Sequence, residues 1–357
     1  MSRIVGVHGV LPPYRYTQHE IRDALAEMGG RGTEGRGVLD RVHAASGVRS
    51  RHLALPLERY RTLGGFGEAN AAYVSAATEL AEEAVRGALR RADIPPSAVE
   101  LVVSTSVTGL AVPSIEARLA GRWGLPAHVK RVPVFGLGCV AGAAGLARVH
   151  DYLEGHPEGV AVLLCVELCS LTVQRGDASA ANVVAGSLFG DGAAALVAVG
   201  RAHPAARARR SERGPETVAT RSRLYPDTEH LLGWDVTDSG FRIVLGSDLP
   251  DTVLRRLGPE VRRFLADHDL KPADVTGWIC HPGGPKVLEA VRAGLDLPAR
   301  ALESARRSLA EVGNLSSASV LHVLRDTLDR CPPLAGTPGL MLAMGPGFSS
   351  ELVLLRW

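Results

Sequence analysis

With 357 residues, 46% of them hydrophobic and 22% charged, the chain has the length for one large domain or two ordinary ones and can bury a sizeable core. A formal net charge of +2 excludes a broadly basic nucleic-acid surface, and the basic run RARRSER (207–213) carries no interleaved aromatics and reads as a solvated loop. No run reaches the ~18 apolar residues of a membrane span, and the opening MSRIVGVHGV has no signal-peptide pattern. The five cysteines have no CxxC spacing and fit reduced thiols better than disulfides or a zinc site. A cytoplasmic protein with no membrane, metal or nucleic-acid partner is expected.

Residues 70–92 carry apolar residues at helical spacing with charges opposite. SAVELVVSTSV (97–107) then reads as a buried strand, PSIEARLAGRWG (113–124) as a helix and KRVPVFG (130–136) as a strand. Cys139 follows directly, and VAGAAGLARVHDYLEG (140–155) reads as a helix leading away from it. GVAVLLCVE (159–167) and GDGAAALVAVG (190–200) are further strands. This alternation predicts an α/β protein with helices covering a mainly parallel sheet.

The charged, proline-containing stretch 201–216 interrupts the pattern as a connection between halves, 1–205 and 215–357. Beyond it, LADHDLKPADVTGWICHP (265–282) echoes LRRADIPPSAVELVVSTS (89–106), with Asp93/Asp269, Ile94/Leu270, Pro96/Pro272 and Val99/Val275 in register. GPGFSSELVLL (345–355) echoes GDGAAALVAV (190–199) more loosely. An offset repeat at half-chain scale predicts two similar halves about a pseudo-twofold axis, with chance likeness of two helix-loop-strand units as the alternative.

Cys139 and His281 stand where chemistry collects, beyond strand ends, and Asn314 is a third candidate. Cys139 sits among glycines and alanines at a helix start, where the dipole and free N–H groups favour a thiolate, although a cysteine in such a setting also packs well as a small apolar residue. His281, in HPGGP, projects from a stiffened turn or is a satisfied structural histidine. Asn314, in VGNLSSAS, is a donor or an N-cap, a role Ser316 would serve equally.

Taken together, GLGCVAG, SLFGDGAAAL, HPGGP, GNLSSAS and MGPGF occur in the order and approximate spacing of type III polyketide synthases, and the chain resembles that chalcone-synthase-like family from about residue 40 to its end. The resemblance implies a thiolase-like five-layered αβαβα fold with two pseudo-twofold related halves, a homodimer, and a nucleophile–histidine–asparagine triad at Cys139, His281 and Asn314. A His281 imidazolium would lower the Cys139 pKa, and His281 with Asn314 would donate to the enolate left by decarboxylation of a malonyl thioester. None of the three motifs contributes a carboxylate, and Asp191 reads as a structural turn residue. Arg49 and Arg51 lie where the family binds coenzyme A phosphates.

Of the family's two gatekeeper phenylalanines, one matches Phe189 and the other falls on Ile243. Cys169 replaces a threonine, Thr172 is retained, and Thr108 and Ala111 sit on a loop that faces the cavity in the family; Ser316 joins this set. Small flexible lining residues point to a fatty acyl-CoA starter, extended by malonyl-CoA (or methylmalonyl-CoA) with no further cofactor and closed to an alkylresorcinol or alkylpyrone. The competing readings are a β-ketoacyl-carrier-protein synthase III-like condensing enzyme and, in another class, an acyl-thioester hydrolase using the same Cys139 and His281.

Overall fold

The computed structural model describes residues 1–29, 33–207 and 214–357, so most of the basic run at 207–213 lies outside the described residues. The chain opens with β1 (Ser2–Val10), followed by β2 (Tyr14–Thr17), α1 (Gln18–Met28), α2 (Thr33–Ala45) and β3 (Ser50–Leu53), with β2 and β3 paired antiparallel. The first half continues through α3 (Phe66–Ala92), β4 (Leu101–Thr105), α4 (Ile115–Trp123), β5 (Lys130–Val134), α5 (Ala141–Gly155), β6 (Val160–Leu168), α6 (Ala180–Leu188) and β7 (Asp191–Gly200). The second half contains β8 (Glu216–Leu224), the pair β9 (Leu232–Thr237) and β10 (Gly240–Leu245), and α7 (Leu249–Ala266). It ends with β11 (Gly277–Cys280), α8 (Pro285–Gly294), α9 (Glu303–Val312), α10 (Ser319–Arg330), β12 (Pro338–Gly345) and β13 (Ser349–Arg356).

The main sheet has the order β11-β12-β13-β8-β1-β7-β6-β4-β5. Its two wings mirror each other about the β8–β1 seam, since β1-β7-β6-β4 and β8-β13-β12-β11 carry the same strand directions. The seam itself is short, pairing Ser2 with Thr217 and Arg3 with Glu216. Strands β6 and β7 are buried along their whole length, which their unbroken Val/Ala/Leu runs require.

The echo seen in the sequence is a structural repeat. Asp93 caps α3 at φ 54° and Asp269 follows α7 at φ 58°, and Pro96 and Pro272 each open a 3-10 turn leading into β4 and β11. β7 and β13, the loosely matched strands, occupy equivalent sheet positions. The expectation of a mainly parallel sheet does not hold. Only β4–β5, β4–β6 and β11–β12 are parallel, because in each half the first strand pairs antiparallel with the last.

Helices α5 and α10 touch each other and strands of both wings, which makes them the middle layer. Helix α3 covers the outer face of the first wing, and α7 packs on β13 and α8 outside the second. The result is an αβαβα layering whose central helices start at Cys139 and just after Asn314. No helix among the described residues is long and apolar enough to cross a membrane.

Candidate active site

Cys139 lies in a 3-10 turn, Gly138–Val140, between β5 and α5, and is buried. That turn abuts the β12–β13 loop. A Cβ on Gly345 would stand 2.6 Å from the Leu137 carbonyl oxygen and 2.7 Å from the Val140 nitrogen, and one on Gly138, at φ 56°, would stand 2.6 Å from Pro346. The GLGC and MGPGF motifs therefore meet backbone to backbone, which only glycine permits.

His281 leaves the end of β11 with its N–H bonded to the Leu342 carbonyl at 2.8 Å, and both ring nitrogens are buried without a partner. Asn314 is held by its backbone: its N–H donates to Leu188 O at 2.8 Å, its carbonyl accepts from Gly190 N at 3.0 Å, and it forms a parallel bridge with Phe189. Its Oδ1 accepts from Ser316 N at 2.9 Å and Ser319 Oγ at 3.4 Å, while Nδ2 faces Gly283 O at 3.4 Å. The two ends of the Asn314 amide thus face different turns, Oδ1 its own and Nδ2 the HPGG loop. Cys139 Sγ donates to Ser316 Oγ at 3.6 Å, so the Cys139 turn, the Asn314 turn and the HPGG loop form one connected cluster.

Burial works against the expected thiolate–imidazolium pair. Burial pushes the Cys139 thiol up to about 12 and pulls His281 down to about 3, because both charged forms lose their hydration. The hydrogen bond to Ser316 and the Asn314 amide act on Cys139 in the opposite direction without overcoming burial. Burial thus favours the neutral form of each group.

A carboxylate from outside the three motifs lies close by. Glu167, at the end of the buried strand β6, accepts from Ser317 Oγ at 2.5 Å, Val107 N at 3.1 Å and Thr108 Oγ1 at 3.1 Å. Burial raises it to about 7 in spite of these donors, and its charge pushes Cys139 further up. The signal was present as the only acidic residue in the apolar run VAVLLCVEL. Asp191 does hold a turn, accepting from Ser170 N at 2.8 Å and Ala54 N at 2.6 Å.

One cavity gathers four of the expected lining residues, Cys169, Thr172, Phe189 and Ile243, together with Arg51. Ile21, Leu25 and Met28 of α1 form its apolar flank. Cys169 lies near enough to Cys139 and Glu167 for their charges to raise its own pKa beyond the effect of burial. Across the Tyr60–Ser170 hydrogen bond of 2.5 Å, a second cavity is lined by Thr108, and Ala111 lines a third beside Phe135. Arg49 is exposed, with Glu311 at 4.0 Å. Arg51 is elsewhere: it is 2% exposed, and its guanidinium donates to Phe189 O at 2.7 Å and Gln18 Oε1 at 2.8 Å. Burial keeps it away from any solvent-facing coenzyme A mouth.

A cysteine at the start of a central helix, with donors from the opposite half converging on it, defines an acyltransferase of the thiolase-like fold. The models of the chalcone and stilbene synthases match in sequence order, the N-terminal domain over residues 26–203 and the C-terminal domain over residues 216–357, and the chain belongs to that family. It is an acyltransferase-type enzyme of the type III polyketide synthases. It is 57% identical over 356 residues to 1,3,6,8-tetrahydroxynaphthalene synthase of Streptomyces peucetius subsp. caesius, covering 100% of this chain and 93% of that protein. It is 30% identical over 285 residues, 79% of this chain and 70% of the other, to the alpha-pyrone synthesis polyketide synthase-like Pks18 of Mycobacterium tuberculosis. The crystal structure of 1,3,6,8-tetrahydroxynaphthalene synthase from Streptomyces coelicolor superposes with a TM-score of 0.93 at 29% identity over 99% of both chains.

Proposed function

We propose that this enzyme builds a fused aromatic polyketide of the tetrahydroxynaphthalene kind from malonyl-CoA alone, with coenzyme A thioesters as its substrates and no cofactor. The whole-chain likeness to a synthase of that name carries the reading. A naphthalene oxygenated at alternate ring carbons is what two-carbon malonyl units give when a linear chain folds and closes.

In this reading the Cys139 sulfur attacks a malonyl thioester carbonyl and the coenzyme A thiol departs with the proton. A second malonyl-CoA loses carbon dioxide, and its enolate carbon attacks the Cys139-bound carbonyl, releasing the sulfur. His281 and the Asn314 amide donate to the enolate oxygen, a task suited to a neutral imidazole N–H and a carboxamide N–H. Arg49 meets coenzyme A phosphate at the surface.

A second reading, fatty acyl priming to an alkylresorcinol or alkylpyrone, is favoured by the aliphatic flank that Ile21, Leu25 and Met28 give the cavity. Purified enzyme incubated with malonyl-CoA, with and without a fatty acyl-CoA series, separates the two by product mass. An aromatic product from malonyl-CoA alone supports the first reading, and condensation only when a fatty starter is present overturns it.

We further read the protein as a cytoplasmic homodimer joined at the β5 edge. Val132 and Phe135 there are exposed, together with Leu110, Leu137 and Val112, the last 94% exposed. Sedimentation at micromolar concentration tests this, and a monomer would sink it.

A further inference from the structure

The Arg51 guanidinium is chemically out of place. It is the one formally charged side chain, among the described residues, lining a cavity otherwise built from Ile21, Leu25, Leu53, Trp234, Ile243 and similar neutral groups. Its hydrogen-bond acceptors Phe189 O and Gln18 Oε1 are both neutral, and its buried Nε–H has no partner among the described residues. Asp191 attracts it through space, but the Asp191 oxygens are taken by Ser170 and Ala54. Burial outweighs that attraction and lowers the Arg51 pKa to about 10, which leaves it cationic at neutral pH. A buried cation with an orphaned donor is costly unless something anionic arrives to meet it.

Resting on the malonyl-only reading above, we infer that Arg51 is the starter-selecting residue, the counter-charge for the free carboxylate of a malonyl group loaded on Cys139. Loading forms the Cys139 thioester and releases the coenzyme A thiol, so the starter's distal carboxylate stays intact and must be buried with the chain. The cavity that Arg51 lines is walled by Phe189, whose backbone is bridged to Asn314, and by Cys169, which lies within electrostatic reach of Cys139. Arg51 offers that carboxylate a planar donor set already held in place by Phe189 O and Gln18. A neutral acyl starter of similar length leaves the cation unpaired and is disfavoured for that reason. The same residue thus excludes neutral starters and admits a dicarboxylic one.

The test is the ratio of malonyl-primed to butanoyl-primed product in wild type, Arg51→Met and Arg51→Lys, each checked for folding by circular dichroism. The ratio is expected to fall at least ~10-fold in Arg51→Met, the size of a lost charge-assisted hydrogen bond, and to recover in part in Arg51→Lys. An unchanged ratio in Arg51→Met, with both products falling together, reduces Arg51 to a backbone clamp and overturns the inference. A measurement on the wild type alone guards against a misfolded variant: acylation of Cys139 by malonyl-CoA against its neutral methyl ester, followed by intact mass. Faster loading of the charged thioester is expected, and equal rates overturn the inference. Failure of the underlying reading looks different, because the wild type would then make no aromatic product from malonyl-CoA alone while still extending butanoyl-CoA.

Discussion

Phe189 and Asn314 form an isolated parallel bridge across the boundary between the two halves, flanked by the Asn314 N–H to Leu188 O bond of 2.8 Å and the Gly190 N–H to Asn314 O bond of 3.0 Å. The wall of the cavity and the amide beside the nucleophile are therefore one mechanical unit. Arg51 braces it from the far side through Phe189 O.

Gly313, at φ 77°, is where this unit tolerates least. A Cβ there would sit 2.7 Å from Leu188 O and 3.0 Å from the Arg51 side chain. Gly313→Ala should cost at least ~1 kcal/mol in urea unfolding and lower condensation, because the positive φ and the clash act together. A variant with wild-type midpoint and turnover contradicts the bracing role.

Cys139→Ala should abolish starter loading, read as loss of the acyl adduct in intact-mass spectra when extender is withheld. His281→Ala and Asn314→Ala should retain loading and slow condensation by ~10²–10³-fold, the usual loss for one oxyanion donor. Product formation at the wild-type rate by Cys139→Ala would rule out the covalent route.

The thiol of the free enzyme should behave as a weak acid. With Cys139 raised to about 12, alkylation by iodoacetamide should climb with pH from 7 to 10 without levelling off. A plateau below pH 8 would mean that the thiolate–imidazolium pair already exists at rest.

Glu167 should leave a mark on stability. Its folded-state value, about 7, lies above the 4.5 of the unfolded chain, so the folded state binds the proton more tightly. Stability from this group is present below pH 4.5 and is lost as pH rises toward 7, by about 3 kcal/mol in all. Glu167→Gln should flatten the melting temperature over that window, and an unchanged slope would place the titration elsewhere.

The repeat makes a matched prediction. Asp93 and Asp269 both take the left-handed conformation at the ends of equivalent helices. Replacing either with glycine should raise stability by up to ~1 kcal/mol, and by similar amounts at the two sites. Opposite signs would show that the two turns differ in more than sequence.

The sequence by itself determined the α/β class, the duplicated halves and the set of motifs from which Cys139, His281 and Asn314 were drawn. Those features are local: strand and helix periodicity, Asp–x–x–Pro turns, and glycines beside a polar residue. Only the tertiary structure decided the sheet's mostly antiparallel order, since pairing depends on which strand ends lie side by side rather than on their own composition. It also decided the electrostatics. Burial pushes the Cys139 thiol up and the His281 imidazole down, Glu167 is near enough to push that thiol further up, and Arg51 is withdrawn from solvent to the wall of the cavity. Desolvation and long-range proximity set these properties, and neither is written in the spacing of residues along the chain.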